Sequence, residues 1–420
     1  MRTIRLLAFA SALSASLLVP HGAGQSSFTT LYTFDAPANG QGPTGVAGSN
    51  GALYGTTQFG GAYSAGTVFQ LKPPTGPGGA WTETLLHSFP NQNGVDGTTP
   101  LASLVVGPGG NLYGTTAGGG AFDQGTVFEL RPPVTPGGAW AEAVLYSFSG
   151  QDGDGAEPSA GLVMGQDGAI YGTTFYGGLY GWGAVFELQP AGTGGSPPGS
   201  TWTEAVLYSF TGGGDGAWAE GLAMSAEGVL YGTTFLGGAL GAGTVFELLP
   251  PATPGGVWTE TVLHSFMGGA DGVYPVAPPV IAGGGSLYGS TTGTAEIDGY
   301  PGTFGLSTVF ELAPPSAPGG SWNKTLLAAV GDGDDGVGST LIVRDGAVYG
   351  ATGDKVGGEV FELQKPASPG GSWTMILLHR FTDGSTPIGR LVMDKNGAIY
   401  GATVKQFNHR LAGTVYRIEP

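Results

Sequence analysis

The side chains best suited to binding a ligand stand in a few Gly-rich stretches of the chain. They form four groups: Tyr176, Tyr180 and Trp182; Trp218 and Glu220; Tyr274, Asp298 and Tyr300; His409 and Arg410. Flat aromatic rings with polar edges suit stacking on sugar rings or other amphipathic surfaces. An adjacent His and Arg suit a carboxylate or a phosphate. We take these ten residues as the candidate ligand-binding set.

Each group also has a purely structural interpretation. Tyr and Trp side chains in Gly-rich loops can fill the space that glycine leaves, and a His-Arg pair can simply be solvated. The sequence leaves both interpretations open.

Catalytic chemistry is less well indicated. Paired carboxylates for glycoside cleavage must flank the scissile bond, and the sequence does not pair the available acids, which are Glu157, Asp215, Glu220, Glu296 and Asp298. No nucleophile elbow, phosphate loop or zinc motif is present. The stretch 331–336 has the composition of a calcium loop but not its ligand spacing. We therefore assign no catalytic residue, no metal ligand and no cofactor.

These candidates are carried by a sequence repeat. Its marker, a Leu-Tyr-Gly-Thr-Thr-like segment, occurs seven times at intervals of 51 to 61 residues, with its Tyr at Tyr54, Tyr113, Tyr171, Tyr231, Tyr288, Tyr349 and Tyr400. A fixed period of this length is typical of propellers, solenoids and arrays. Each period contains four short runs of strand composition, in one copy 160–164, 169–173, 184–188 and 202–210.

Four antiparallel strands repeated seven times predict an all-β fold, a seven-bladed β-propeller in one domain, residues 27–420. The last repeat has only three strands, ending at 414–418, while an extra fourth-type strand, 28–34, precedes the first repeat. Pairing these two strands would close the ring and remove free sheet edges. An open β-solenoid is the structural alternative.

Propeller geometry predicts which loops share a surface. Loops from strand four to the next strand one, and from strand two to strand three, emerge on one side of the ring, which we call the loop face. It should carry the four candidate groups. The Glu at 129, 187, 247, 311 and 362, the His at 87, 264 and 379, and the Asp of the Asp-Gly loops recur in equivalent positions, so we expect them to be structural.

The N-terminus and the charge bear on localisation and partners. Residues 1–26, with Arg2 and Arg5 before the apolar run 6–18, have the layout of a signal peptide. The formal net charge of −17 disfavours nucleic acid as a partner. No second long apolar run follows, so we expect a secreted monomer that does not insert into a membrane. Most basic residues lie beyond residue 320, which allows one sector of the ring to face an anionic group.

The motifs Leu-Tyr-Gly-Thr-Thr, Gly-Thr-Val-Phe-Glu-Leu and the segment 258–266 resemble the tandem repeats of the Gloeobacter/Verrucomicrobia (GloVer) family of exported bacterial proteins. The resemblance implies an exported repeat protein of undefined activity, here without a C-terminal anchor. From the residues, we expect a binding protein that engages an extracellular carbohydrate or another polymer, such as a protein ligand, through the loop face. A polysaccharide hydrolase or lyase with one asymmetric site on that face is an alternative. A structural or protein-interaction component of the envelope is another.

Overall fold

The computed structural model describes residues 26–420 except 77, 91–95, 136, 191–201, 254, 294–305, 318, 331–335, 338, 355–356, 369 and 408–409. Residues 1–25 of the proposed signal peptide and the stretch 331–335 of the calcium-like segment therefore lie outside the described residues.

The described chain forms seven sheets of antiparallel strands arranged in a ring, which confirms the seven-bladed β-propeller. Blade one contains Gln41–Ser49, Ala52–Phe59, Thr67–Lys72 and Thr82–Ser88. Blade two contains Val105–Val106, Leu112–Thr116, Thr126–Arg131 and Ala141–Ser147. Blade three contains Val163–Met164, Ile170–Thr174, Ala184–Gln189 and Thr203–Ser209. Blade four contains Ala217–Met224, Leu230–Leu236, Thr244–Leu249 and Thr259–Ser265.

The later blades have more broken first strands. Blade five contains Val273–Pro275 and Val280–Ile281, then Leu287–Thr292, Thr308–Ala313 and Asn323–Ala329. Blade six contains Gly336–Val337 and Ile342–Arg344, then Ala347–Asp354, Gly357–Gln364 and Thr374–Arg380. Blade seven contains Thr386–Met393, Ile399–Phe407, Arg410–Glu419 and Ser27–Phe34.

Short accessory elements complete the described structure. The two-stranded pairs are Gly97–Thr98 with Gly118–Gly119, and Gly155–Ala156 with Tyr176–Gly177, while Ser339–Thr340 lies parallel to part of blade seven. Single 3₁₀ turns are formed by Pro37–Asn39, Pro108–Gly110 and Gly283–Gly285.

The ring closes as predicted. Strand Ser27–Phe34 pairs antiparallel with Arg410–Glu419, so the first described strand becomes the outer strand of the last blade. Thr33 lies opposite Thr414, and Phe28 lies opposite Ile418. The outer edge of the third strand of blade seven is thereby paired like that of every other blade.

A repeated aromatic contact packs each blade against the next. The Phe that follows strand four meets a ring from strand three of the following blade, with centroids 4.7–5.4 Å apart in six of the seven junctions. Gly232 of the Leu-Tyr-Gly motif shows why this position is glycine, since a Cβ there would lie 2.3 Å from the ring of Phe246. The glycine of the marker motif therefore makes room for the aromatic ring of strand three in the core.

Most of the tryptophans serve the same scaffold. Six of the eight occupy one repeat position, in the spacer between strands three and four: Trp81, Trp140, Trp202, Trp258, Trp322 and Trp373. In five junctions this ring contacts the marker Tyr of the preceding blade at 6.1–6.4 Å. Only Trp182 and Trp218 fall outside this pattern.

A channel runs through the middle of the ring, lined by the first strands of the blades. Its volume is about 1450 Å³. Because each first strand runs from the loop face to the opposite side, residues near its start lie at the loop-face end of the channel. The lining is mostly small or aliphatic, and its charged residues are Glu220, Arg344, Arg390, Asp394 and Lys395.

Candidate functional site

The two loop series of the loop face are tied together by backbone hydrogen bonds. The N–H of Trp218, on the loop that enters blade four, donates to the carbonyl of Trp182 in the Gly-rich loop of blade three at 3.0 Å. The N–H of Tyr274 makes the equivalent bond to Ala242 at 2.8 Å. Trp218 and Tyr274 have positive φ angles of 58° and 55°, as does Glu157 at 53°. The conformation is therefore a feature of the scaffold, which presents whichever side chain occupies the position.

These hydrogen bonds between the loops bring the predicted aromatic residues into one array. Trp218 stacks on Phe175 with centroids 4.8 Å apart and lies 6.2 Å from Trp182 and 6.1 Å from Tyr176. Phe235 continues the array 6.4 Å from Trp218. We call these five rings, together with Tyr274, the aromatic array; it spans blades three to five.

The members of the array differ in exposure. Tyr176 is 41% exposed, Trp182 and Trp218 are half-buried, and Tyr274 is only 2% exposed. Tyr274 stacks on Phe235 with centroids 5.0 Å apart, so it supports the array from beneath. The face open to a ligand is formed by Tyr176, Trp182 and Trp218, together with Phe175 and Phe235, which are also half-buried.

Tyr180 lies apart from the array, at the tip of the blade-three loop, where it is 58% exposed. The equivalent loop tips of the other blades carry Tyr63, Phe122 and Leu240, which are 53%, 57% and 58% exposed. Tyr180 is thus one member of a repeated surface position.

Glu220 lies in the central channel, at its loop-face end, two residues after Trp218. Burial raises the pKa of Glu220 to about 7. The side chain retains some accessible surface, and this surface faces the channel. Within the described residues Glu220 makes no hydrogen bond or ion pair, so it is free to interact with a ligand or exchange a proton.

The remaining predicted residues are less well placed by the structure. Asp298, Tyr300 and His409 lie outside the described residues, and for Arg410 only the backbone is described, at the start of the last strand. The nearby Lys405 Nζ lies 3.4 Å from an Asp383 carboxylate oxygen. The binding of an anion by His409 and Arg410 stays a prediction.

Two members of the site were missed in the sequence. Phe235 follows Thr-Thr in its repeat as Phe175 does, so alignment of the repeats would have found it. Arg390 lies in the channel on the first strand of blade seven; only the strand register places it there, since the segment shows no motif.

The recurring His and Asp residues are structural. His87 Nε2 lies 3.1 Å from Asp96, and Tyr208 Oη donates to Asp215 at 3.0 Å in the equivalent junction. The Asp also accepts loop N–H groups, for example from Thr211 at 2.8 Å. No group of three or more His, Asp or Glu within the described ranges is arranged to hold a metal ion.

The recurring Glu of strand three is structural too. Tyr113 Oη donates to Glu129 at 2.9 Å, and Tyr171 Oη donates to Glu187 at 2.7 Å. The repeat therefore uses this carboxylate to hold the marker Tyr in place.

Comparison with solved structures shows the same fold at low sequence identity. A PL25 ulvan lyase is 12% identical with a TM-score of 0.55, covering 91% of this chain and 93% of the lyase. The polysaccharide lyase Uly1 is 11% identical with a TM-score of 0.51, covering 90% and 89%. A puromycin-hydrolysing peptidase from Mycobacterium tuberculosis is 11% identical with a TM-score of 0.51, covering 88% of this chain and 50% of the peptidase.

The search of curated proteins found no match to the sequence. No helix within the described residues is long and apolar enough to cross a membrane. The model of the Gloeobacter/Verrucomicrobia repeat matches residues 19–154 and 133–317. The resemblance of the repeats is thereby confirmed, and the chain belongs to the Gloeobacter/Verrucomicrobia repeat family.

Proposed function

We propose that this protein is a secreted carbohydrate-binding propeller, which holds an extracellular polysaccharide on the aromatic array of blades three to five. The observation that carries the proposal is the stacking of Phe175, Trp218 and Trp182 into one partly exposed surface. Six tryptophans have a repeated packing role, and the other two meet at this surface. Rings of this kind present apolar faces to sugar rings and polar edges to their hydroxyl groups.

The site is asymmetric. Blades one and two carry Gln58 and Ala117 where blade three has Phe175, and Ala65 and Gln124 where it has Trp182. Among the positions of the array, only that of Tyr176 has an aromatic counterpart there, Phe59 of blade one. A lectin with seven equal sites would repeat its ligand residues in every blade. We therefore expect one binding site per chain. A polysaccharide ligand also accords with the structural neighbours, one of which is described as a lyase bound to -[GlcA(1-4)Rha3S]-.

The test is affinity electrophoresis of the protein in gels containing neutral or acidic polysaccharides. Trp218→Ala should weaken binding roughly tenfold, because loss of a stacked ring and its contact area removes about 1–2 kcal/mol. The backbone hydrogen bond of residue 218 is retained in this variant. Phe122→Ala, which removes an exposed loop-tip ring in blade two, is the matched control and should bind normally.

Two results would overturn this proposal. One is the absence of retardation by every polysaccharide in the panel. The other is a Trp218→Ala variant that melts like the unmodified protein and is retarded to the same extent.

A polysaccharide-cleaving enzyme is the second candidate, favoured by Glu220. With a pKa of about 7, this carboxyl group can accept or donate a proton at neutral pH. Two-carboxylate hydrolysis requires a second acid about 5–10 Å away. The other acid of the channel lining, Asp394, is engaged in a turn at the opposite end, where it accepts the N–H of Ala398 at 3.0 Å. Proton abstraction in a lyase-type elimination suits this arrangement better than hydrolysis.

The same gels can be followed for release of unsaturated ends. If the protein is a lyase, products appear with the unmodified protein and disappear with Glu220→Gln while retardation persists. Retardation without products leaves the binding function alone.

A further inference from the structure

The loop-face end of the central channel carries two charges that the repeat does not require. Arg390 stands two residues before Val392, which pairs with the marker Tyr400. At the same register the other six blades have Gly45, Ser103, Gly161, Gly221, Pro278 and Thr340. Glu220 stands one position earlier in its strand, where blades one to three have Thr44, Ala102 and Ala160.

The two charges face the channel from opposite sides of the ring. Glu220 belongs to blade four and Arg390 to blade seven, which is the largest separation that a ring of seven blades allows. They form no ion pair with each other, and within the described residues neither makes a hydrogen bond through its side chain. The space between them is open because the neighbouring residues at this level are small.

The charged residues at the other end of the channel are already engaged. Arg344 donates to the carbonyls of Asp394 and Lys395 at 2.7 and 3.1 Å and lies 3.3 Å from the carboxylate of Asp345. The carboxylate of Asp394 accepts hydrogen bonds within its own turn. Within the described residues, Glu220, Arg390 and Lys395 are thus the channel charges without a side-chain partner, and Lys395 lies at the far end of the channel.

Glu220 is half-buried, whereas Arg390 is exposed to the channel, and both lose part of their hydration there. Burial raises the pKa of Glu220 to about 7 and lowers the pKa of Arg390 from its usual value, with no charged partner contributing to either shift. An unpaired charge in such a place costs stability unless another group compensates it. A ligand with an anionic group and several hydroxyl groups would do so.

We propose that the loop-face end of the channel binds one anionic sugar residue, with its carboxylate or sulfate on Arg390 and its hydroxyl groups toward Glu220. This inference rests on the carbohydrate-binding function proposed above and specifies its ligand. Trp218 is two residues from Glu220 in the same strand, so their Cα atoms are about 7 Å apart along an extended backbone. A saccharide stacked on the aromatic array is therefore long enough to extend into the channel. The channel volume of about 1450 Å³ exceeds the roughly 300–1,000 Å³ of ordinary small-molecule sites, which leaves room for more than one ring.

The charge of the whole protein limits this recognition to a single anionic group. With a formal net charge of −17, the chain repels a long polyanion. The guanidinium of Arg390, surrounded by small side chains of the channel wall, can select one acidic sugar at a chain end or on a branch. It does so without attracting the rest of the polysaccharide. Binding should accordingly depend only weakly on salt.

The test compares short oligosaccharides with a single acidic residue, prepared from the acidic polysaccharides of the panel, with their own neutralised forms: carboxyl-reduced for a uronic acid, desulfated for a sulfate ester. The protein should bind the native form at least about tenfold more tightly, as expected for a charge-assisted contact. Arg390→Gln should remove this preference while leaving the affinity for the neutralised form unchanged. Lys395→Gln removes the same charge from the far end of the channel and should keep the preference.

The outcomes separate this proposal from the one on which it rests. Loss of preference on carboxyl reduction identifies a uronic acid, and loss on desulfation identifies a sulfated sugar; either supports the proposal. Equal affinity for native and neutralised forms overturns it, as does a folded Arg390→Gln variant that keeps the preference. In both of those cases a Trp218→Ala defect would leave the carbohydrate-binding function standing. Absence of binding to any form overturns both.

Discussion

At the scale of single residues, the glycines of the loop face show how little freedom the scaffold leaves. In the blade-four loop, Gly237 and Gly241 have similar φ angles of 77° and 74°. A Cβ on Gly237 would lie 2.5 Å from the Cα of Gly216, whereas a Cβ on Gly241 would meet nothing within 4 Å. The two positions therefore separate backbone strain from close packing between loops.

Alanine substitutions should reveal this difference. Gly241→Ala should lower the free energy of unfolding by about 1–2 kcal/mol, because only the left-handed conformation is penalised. Gly237→Ala should cost clearly more, because the two loops must also move apart. Chemical denaturation of the two variants measures the difference, and equal costs would contradict the packing described here.

The residue scale is also where sequence reasoning reached its limit. Repetition identified the scaffold residues, and departures from it identified Trp182, Trp218 and Glu220. It did not reveal that Tyr274 is buried under Phe235, because burial depends on the neighbouring blade. Arg390 was missed because it becomes exceptional only when the first strands of all seven blades are aligned by their pairing.

At the scale of the strands, the junctions between blades contain buried carboxyl groups. Strand four carries Glu142, Glu204 and Glu260 at one repeat position, and each has one carboxyl oxygen buried without a hydrogen-bond partner. Burial, with a smaller contribution from an Asp of the preceding loop, raises the pKa of each to about 7. In blade five the equivalent residue is Lys324, whose Nζ lies 2.7 Å from Asp271.

These carboxyl groups predict a pH-dependent stability. Because their pKa in the folded protein is raised, the folded state binds protons more tightly than the unfolded state, whose Glu pKa is near 4.5. Their stabilising contribution is complete below about pH 4.5 and is lost as pH rises through 7. His379, whose pKa is lowered by burial, opposes this trend below about pH 6.5. It is one group against these three and against Glu83, Glu220 and Glu247, whose pKa values burial also raises. We expect a higher melting temperature at pH 5.5 than at pH 8.

Glu204→Gln should reduce that difference, because the amide cannot ionise. It should also raise the melting temperature at pH 8. Glu227→Gln, at an exposed turn, is the control and should leave the pH profile unchanged. This account would be contradicted if the melting temperature of the unmodified protein were the same at pH 5.5 and pH 8. It would also be contradicted if Glu204→Gln left the difference between the two pH values unchanged.

At the scale of the whole molecule, the ring is closed by the strand Ser27–Phe34. Phe34 is fully buried and contacts Phe69 of blade one with centroids 4.7 Å apart. Phe148 makes the equivalent contact with Phe186 at 5.0 Å inside the ring. The closing junction therefore has the packing of an ordinary one, as the three-strand final repeat predicts.

Matched substitutions test the closure. Phe34→Ala and Phe148→Ala should each lower the free energy of unfolding by about 3–5 kcal/mol, because each removes a fully buried ring. If the first strand did not complete blade seven, Phe34→Ala would cost almost nothing while Phe148→Ala kept its full cost.

Closure by the first strand has a consequence for how the chain folds. Ser27 Oγ donates a hydrogen bond to the Glu419 carboxylate across 392 residues of sequence, whereas the other blades close through neighbouring hairpins of one repeat. Bringing such distant segments together costs roughly 1.5–2 kcal/mol more entropy than closing one repeat. This pairing should therefore be the last and slowest to form. Since residues 27 and 419 are neighbours, the chain can be circularly permuted by joining them and cutting the spacer between Arg131 and Ala141. The permuted chain would keep every blade, and the slow step would move to blade two.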